Sequence, residues 1–137
     1  MKTFSMKEVS VTINGRIIKG FSEAEDAVGV EFNEELWTLV HGAGGDAVRT
    51  DNMNESGRFT IALLQTSEDN EFLEDLYNID RLTRTGVVPV RVTDINTGRK
   101  YSGPTSWIVA FAPVTRGKVH NERRWILETD KLVPGAN

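Results

Sequence analysis

In several stretches of this chain, apolar and polar side chains alternate one by one. A period of two puts every second side chain on one face of a strand, so the pattern demands sheets with one buried side. In "VSVTINGRIIKGF" (9–21), Val9, Val11 and Ile13 alternate with Ser10 and Thr12. Asn14-Gly15 follows, and this dipeptide suits a tight hairpin because both central residues need positive φ. Ile17, Ile18 and Phe21 supply the return strand. The segment 21–27 is polar and turn-like.

The run 28–41 reads as one unusually long extended strand. Val28, Val30, Phe32, Glu34, Leu36, Thr38 and Val40 fall on one face. Gly29, Glu31, Asn33, Glu35, Trp37, Leu39 and His41 fall on the other. Strands average about five or six residues, so this one stands out. Its first half is apolar on one side and acidic or polar on the other, while its second half is apolar on both. "HGAGGDA" (41–47) turns the chain and "VRTDNMNESG" (48–57) brings it back. The strand "RFTIALLQT" (58–66) then presents Phe59, Ile61 and Leu63 on one face.

The period changes in "TSEDNEFLEDLYNIDRLTRTG" (66–86), where Phe72, Leu73, Leu76, Ile79 and Leu82 recur at helical spacing. Ser67 or Asn70 can cap its start, Glu68, Asp69 and Glu71 favour the positive end of the helix dipole, and Gly86 ends it. Strands resume with Val88, Val90 and Val92. Pro89 suggests an edge strand, because proline cannot donate to a ladder. Two more strands, 106–114 and 123–132, precede a short tail, with Trp107 and Trp125 expected in the core. The expected fold is mainly β: a β-sandwich or barrel of about seven or eight strands, one flanking helix over about 68–82, and a long projecting hairpin over about 28–66. No linker or repeat divides the chain, so 1–137 is expected to be a single domain.

Composition removes several function classes. There are no cysteines, which excludes disulfides, thiolate metal sites and cysteine nucleophiles and fits a reducing compartment. Lys and Arg number 16 against 20 Asp and Glu, and no basic block exceeds Arg123-Arg124, which argues against tight nucleic-acid binding. No apolar run matches a signal peptide or a membrane span, so a soluble protein made in a cytoplasm is expected.

The residues offer little chemistry. The two histidines, His41 and His120, sit at a strand end and in a loop. Glu34 and Glu35 point to opposite strand faces and cannot flank one glycosidic bond. "GAGGD" lacks the lysine and following helix of a phosphate loop, and "DNMNESG" lacks the spacing of an EF-hand. No catalytic residue, metal site or cofactor is expected.

The long hairpin is the informative feature. A projecting ribbon that is apolar on both faces near its tip is a liability in a monomer unless neighbouring subunits cover it. Rings that join strands edge to edge meet this requirement, because their edges vanish only on closure. The proximal face, with Glu31, Asn33 and Glu35, stays acidic and polar. Such a face suits a pore that passes DNA without holding it, since like charge repels phosphates.

Four stretches carry a resemblance to a known family: "FSMKEVSVTINGRIIKGF", "DAVGVEFNEE", "SGRFTIALLQTSEDN" and "SGPTSWIVAFAP". In their order and spacing, nearly end to end, the chain resembles the tail tube proteins of contractile-tailed bacteriophages. The resemblance implies a non-enzymatic virion protein, synthesised in the host cytoplasm, that forms homohexameric rings stacked into a hollow conduit for DNA. It implies sheath and baseplate or tail-terminator proteins as partners, with DNA as transient cargo. On this mapping, 28–39 and 58–66 line the lumen, and Glu31, Asn33 and Glu35 face it. Trp37, Leu39, Val40, His41, Ala43, Asp46 and Val48 reach a neighbouring subunit or ring. The rival expectation is a carbohydrate- or receptor-binding β-sandwich of a virion or baseplate, with Trp37, Asp46 and Asp51 as its ligand site.

Overall fold

The computed structural model describes residues 9–22, 27–114 and 122–135. Ten strands and one helix follow in the order β1 (Val9–Ile13), β2 (Arg16–Ile17), β3 (Val28–Phe32), β4 (Trp37–His41), β5 (Ala47–Asp51), β6 (Gly57–Leu64), α1 (Asp69–Thr83), β7 (Val88–Asp94), β8 (Lys100–Ala110), β9 (Glu122–Thr129) and β10 (Val133–Pro134). The mainly β fold with one helix is as expected. His120 lies outside the described residues, as do the start of the "FSMKEVS" stretch and most of the turn at 21–27.

The main sheet runs β2-β1-β7-β8-β9-β6-β3, with β10 extending β9's side of β8. Its two ends are tied by one segment. Arg16 and Ile17 pair with β1, and the chain then continues to Phe21, which bridges to Leu63 of β6. Leu64 N–H donates to Gly20 O at 2.7 Å, and Ser22 N–H donates to Ala62 O at 3.0 Å. The sheet therefore curls into a barrel, and a closed sheet leaves few edges for stray pairing. Asn14 and Gly15 take positive φ in the β1-β2 turn, as that dipeptide requires.

Alternation decides what fills the interior. Val11 and Ile13 of β1, Phe59, Ile61 and Leu63 of β6, Val88, Val90 and Val92 of β7, and Trp125 and Leu127 of β9 are all buried. Register brings them together, with Ile61 opposite Trp125 and Phe59 opposite Leu127. α1 adds Leu73 and Leu76 to the same core. Asn70 is not a cap but a buried bracket. Its Nδ2 donates to Leu64 O at 2.9 Å and to Ser67 O at 3.1 Å, while its Oδ1 accepts from Trp125 Nε1 at 3.0 Å. Glu68 holds the N-cap position without a side-chain bond, and Ser67 Oγ accepts from Asp69 N–H at 3.3 Å. Asp69 instead ties the helix to the first hairpin, accepting from Arg16 Nε and Lys19 N–H at 2.7 Å each.

Three further expectations are corrected. The strand expected over 28–41 is two strands, because β3 ends at Phe32 and 33–36 bends. The side chain of Asn52 replaces ladder bonds at that break, its Nδ2 donating to Glu35 O at 2.8 Å and its Oδ1 accepting from Thr38 Oγ1 at 3.1 Å. Pro89 lies in β7, an interior strand between β1 and β8. The register with β8 shifts between Val88 and Val90, and this bulge accommodates the missing donor. Trp107 is not core: it pairs with Glu128 on the opposite side of the sheet from Trp125 and is only half-buried.

Candidate assembly and lumen surfaces

Two surfaces leave the core behind. The first is the arm, residues 33–56, which stands on β3 and β6. β3 pairs with β6 from Val28 opposite Ile61 to Phe32 opposite Gly57, and beyond the bend β4 pairs only with β5. Every residue from 31 to 51 is exposed. The hairpin expected over about 28–66 is therefore two ladders in series, and the outer one projects. Its tip closes with Gly42 N–H donating to Asp46 O at 2.8 Å and Gly45 at φ 87°.

Register divides the arm into two faces. On one, Val40 lies opposite Val48 and Thr38 opposite Thr50. On the other, Leu39 lies opposite Arg49 and Trp37 opposite Asp51, and the Arg49 guanidinium sits 4.1 Å from the Trp37 ring centre. Leu39, Val40 and Val48 are 62%, 52% and 60% exposed, so the apolar side chains of both faces are left to water. An isolated two-stranded ribbon is marginal in water and needs a partner surface for independent stability. All seven residues expected at contacts, Trp37, Leu39, Val40, His41, Ala43, Asp46 and Val48, lie on this arm. The stacked Arg49 covers one face of the Trp37 ring. At the arm's root, Phe32, Leu36, Leu132 and Pro134 with Glu34, Glu35 and Glu55 line a cavity of about 650 Å³.

The second surface is the outer face of β3, β6, β9 and β8. Pairing puts Glu31, Arg58, Glu128 and Trp107 in one row across four strands. Arg58 Nη2 donates to Glu128 Oε1 at 3.1 Å. Further along, Arg124 Nη2 donates to Glu122 Oε1 at 2.8 Å, and Ser22 Oγ donates to Glu122 Oε2 at 2.8 Å. Glu31 holds no ion pair among the described residues. The face thus carries three carboxylates, Glu31, Glu122 and Glu128, against the two guanidiniums of Arg58 and Arg124, and it stays net negative.

The expected trio of Glu31, Asn33 and Glu35 is only partly brought together. Glu31 is in the row, and Asn33 reaches its end, donating through Nδ2 to Ser56 Oγ at 2.9 Å and to Glu128 Oε1 at 3.5 Å. Glu35 lies past the end of β3, where alternation no longer applies, and lines the arm-root cavity. Sequence reading missed Arg58, Glu122, Arg124 and Glu128. Their alternation with Phe59, Trp125 and Leu127 was visible, but the pairing of β6 with β9 was not.

No groups of three or more potential metal-ligating side chains cluster among the described residues. No described helix is long and apolar enough to cross a membrane.

Comparison with known proteins bears on the family and the fold. The family described as Bacteriophage PhiTE tail tube protein matches residues 1–101. "Structural protein ORF10" of Pseudomonas phage KPP10 is 29% identical, over 91% of this chain and 76% of that protein. Among solved structures, the PVC sheath/tube terminator of an extracellular contractile injection system superposes with a TM-score of 0.70 at 10% identity, covering 99% of both chains. The tube terminating cap of the anti-feeding prophage gives 0.69 at 10% identity, over 100% of this chain and 93% of that one. A chain of the PVC sheath-tube complex gives 0.68 at 12% identity, over 98% and 93%. At these identities the structural likenesses speak to the fold.

Proposed function

The chain belongs to the phage tail tube protein family, and from that premise we propose that it forms homohexameric rings that stack into the DNA conduit of a contractile tail. The tail sheath and the baseplate or terminator proteins are its partners in this reading, and DNA is transient cargo. The observation that carries it is the arm: a projecting ribbon with apolar side chains on both faces, whose β4-β5 ladder pairs with no barrel strand among the described residues. A second copy is the economical cover for such a surface, and a head-to-tail contact repeated around an axis closes a ring.

Free strand edges support the same reading. The outer edge of β3 pairs with no strand among the described residues. The edge of β8 past Ser106, on the side away from β9, also has none. These edges bound the same four-stranded face at its two ends, so pairing one protomer's β3 with the next protomer's β8 continues the sheet around a lumen. The net negative face would then be the wall.

Trp37→Ala tests the arm. Tubes or stacked rings in negative-stain microscopy are expected to fall at least tenfold in yield, while circular dichroism of the barrel stays unchanged. Normal polymerisation of a folded Trp37→Ala protein would remove the arm from the assembly contact. Retained assembly with lost glycan affinity would favour the carbohydrate-binding reading instead.

Glu31→Lys tests the wall. A lysine in the row beside Arg58 adds a cation where DNA passes, and tubes are expected to form while DNA ejection slows. Glu35→Lys, at the arm root, is expected to leave ejection rate alone. Unchanged ejection from particles carrying Glu31→Lys would place that residue away from the DNA path.

A further inference from the structure

Arginine is the side chain best fitted to grip a phosphate, because its planar fork donates two parallel hydrogen bonds and never loses its charge. Two arginines, Arg58 and Arg124, stand on the outer face of β6 and β9. Left open, each would be a phosphate contact, and every such contact strengthens DNA binding and steepens its salt dependence. Neither is open. We propose that Glu128 and Glu122 are guard residues, which hold Arg58 and Arg124 in ion pairs so that neither guanidinium captures nucleic-acid phosphate. The inference rests on reading this face as the wall past which DNA moves.

The geometry is specific to that purpose. Both guards sit on β9, and both point outward because Arg123, Trp125, Leu127 and Thr129 between and beside them point inward and are buried. Register sets Glu128 directly across from Arg58, and the pair closes at 3.1 Å. Arg58 Nε is buried without an acceptor, so the guanidinium meets the surface through its Nη end, where Glu128 engages it. Glu122 lies two residues before Arg124, on the same strand face, and the pair closes at 2.8 Å. Its second oxygen accepts from Ser22 Oγ at 2.8 Å, which fixes the carboxylate in place.

Stability is a poor explanation for these pairs. The side chains are 40% and 27% exposed in one and 32% and 35% in the other. Ion pairs at such exposure contribute only about 0–1 kcal/mol. Their effect on an approaching polyanion is larger, since each guard both occupies a guanidinium and adds a repelling charge beside it.

The test uses the unassembled chain and a fluorescent DNA duplex, with binding read by anisotropy across a salt series. Glu122→Gln with Glu128→Gln keeps the shapes and removes both guard charges, so that each guard can offer its arginine only a neutral amide oxygen. DNA affinity at low salt is expected to rise at least tenfold, and the log–log salt slope to steepen by up to about two. Glu71→Gln with Asp75→Gln makes the same change in net charge on exposed positions of α1, and is expected to gain much less. Adding Arg58→Gln and Arg124→Gln to the guard variant is expected to return affinity to that of the parent chain. A guard variant that binds DNA no better than the parent, or no better than the helix variant, overturns the proposal. Should the double variant fail to fold, Glu128→Gln alone is expected to gain about half the slope, and no gain there is equally fatal. These outcomes are read on the unassembled chain. Failure of the conduit reading would appear separately, in the position of this face within assembled tubes.

Discussion

Val40→Lys with Val48→Glu is expected to abolish tube assembly while the protomer stays folded. The two valines face each other across the arm ladder, and both are more than half exposed. Opposite charges at directly opposed positions keep a favourable cross-strand pair, so the arm itself survives. Only its capacity to be buried is lost. Fully burying a valine contributes about 1.5–3 kcal/mol, and these two have a little over half of their surface left to bury, so together they amount to roughly 2–3 kcal/mol per contact. At about 1.4 kcal/mol per tenfold, the concentration needed for assembly rises by about one to two orders of magnitude. The melting temperature should hardly move, since the arm pairs only with itself and the core lies in the barrel. Sedimentation and microscopy at matched concentrations check this. Tubes from the double variant at the parent's yield would show that the valine face is not a contact.

The second large effect is in the core. Trp125→Ala is expected to cost about 3–5 kcal/mol, the usual loss for deleting a buried large aromatic. That is a large share of the roughly 5–15 kcal/mol that holds a domain together. Trp125 is fully buried, stacks edge-on with Phe111 at 5.2 Å between ring centres, and donates to Asn70. The Asn70 bond makes the site more than a packing position. Asn70 also serves the carbonyls of Leu64 and Ser67, so it fastens the end of β6 to the start of α1. Trp125→Phe keeps an aromatic ring but loses the N–H and part of the ring volume, and should cost about 1–3 kcal/mol. Urea unfolding of both variants gives the comparison. A Trp125→Ala protein within 1 kcal/mol of the parent would contradict the place assigned to this side chain.

Local chemistry was legible in the sequence wherever one segment decided the outcome. Asn14-Gly15 dictates its hairpin, the spacing of Leu73 and Leu76 dictates a helix face, and alternation picks out Phe59, Ile61 and Leu63 as interior. What was hidden depended on partners far away in sequence. Trp107 and Trp125 sit in equally apolar stretches, and only the pairing of β8 with β9 puts them on opposite sides. Pro89 suggested an edge because the compensating bulge belongs to the register with β8. The break after Phe32 was invisible because polar alternation through Glu35 mimics a continuous strand, while the Asn52 side chain that bonds at the break arrives from the returning limb.

The candidate surfaces divide in the same way. The arm was visible because its apolar excess is local, running from Leu36 to Val48. The wall was only half visible, because Glu31 announces a polar face but its neighbours come from β6 and β9. Thus an acidic strip in the sequence becomes a mixed face of carboxylates and ion-paired arginines in the fold.

A cryo-electron microscopy reconstruction of tubes grown from the purified chain is the most direct measurement. The expected map has Glu31, Arg58, Glu122, Arg124 and Glu128 lining the bore, and residues 36–51 buried against a neighbouring copy. A map with that row on the outer surface, or with the arm free in solvent, would contradict the assignment of both surfaces.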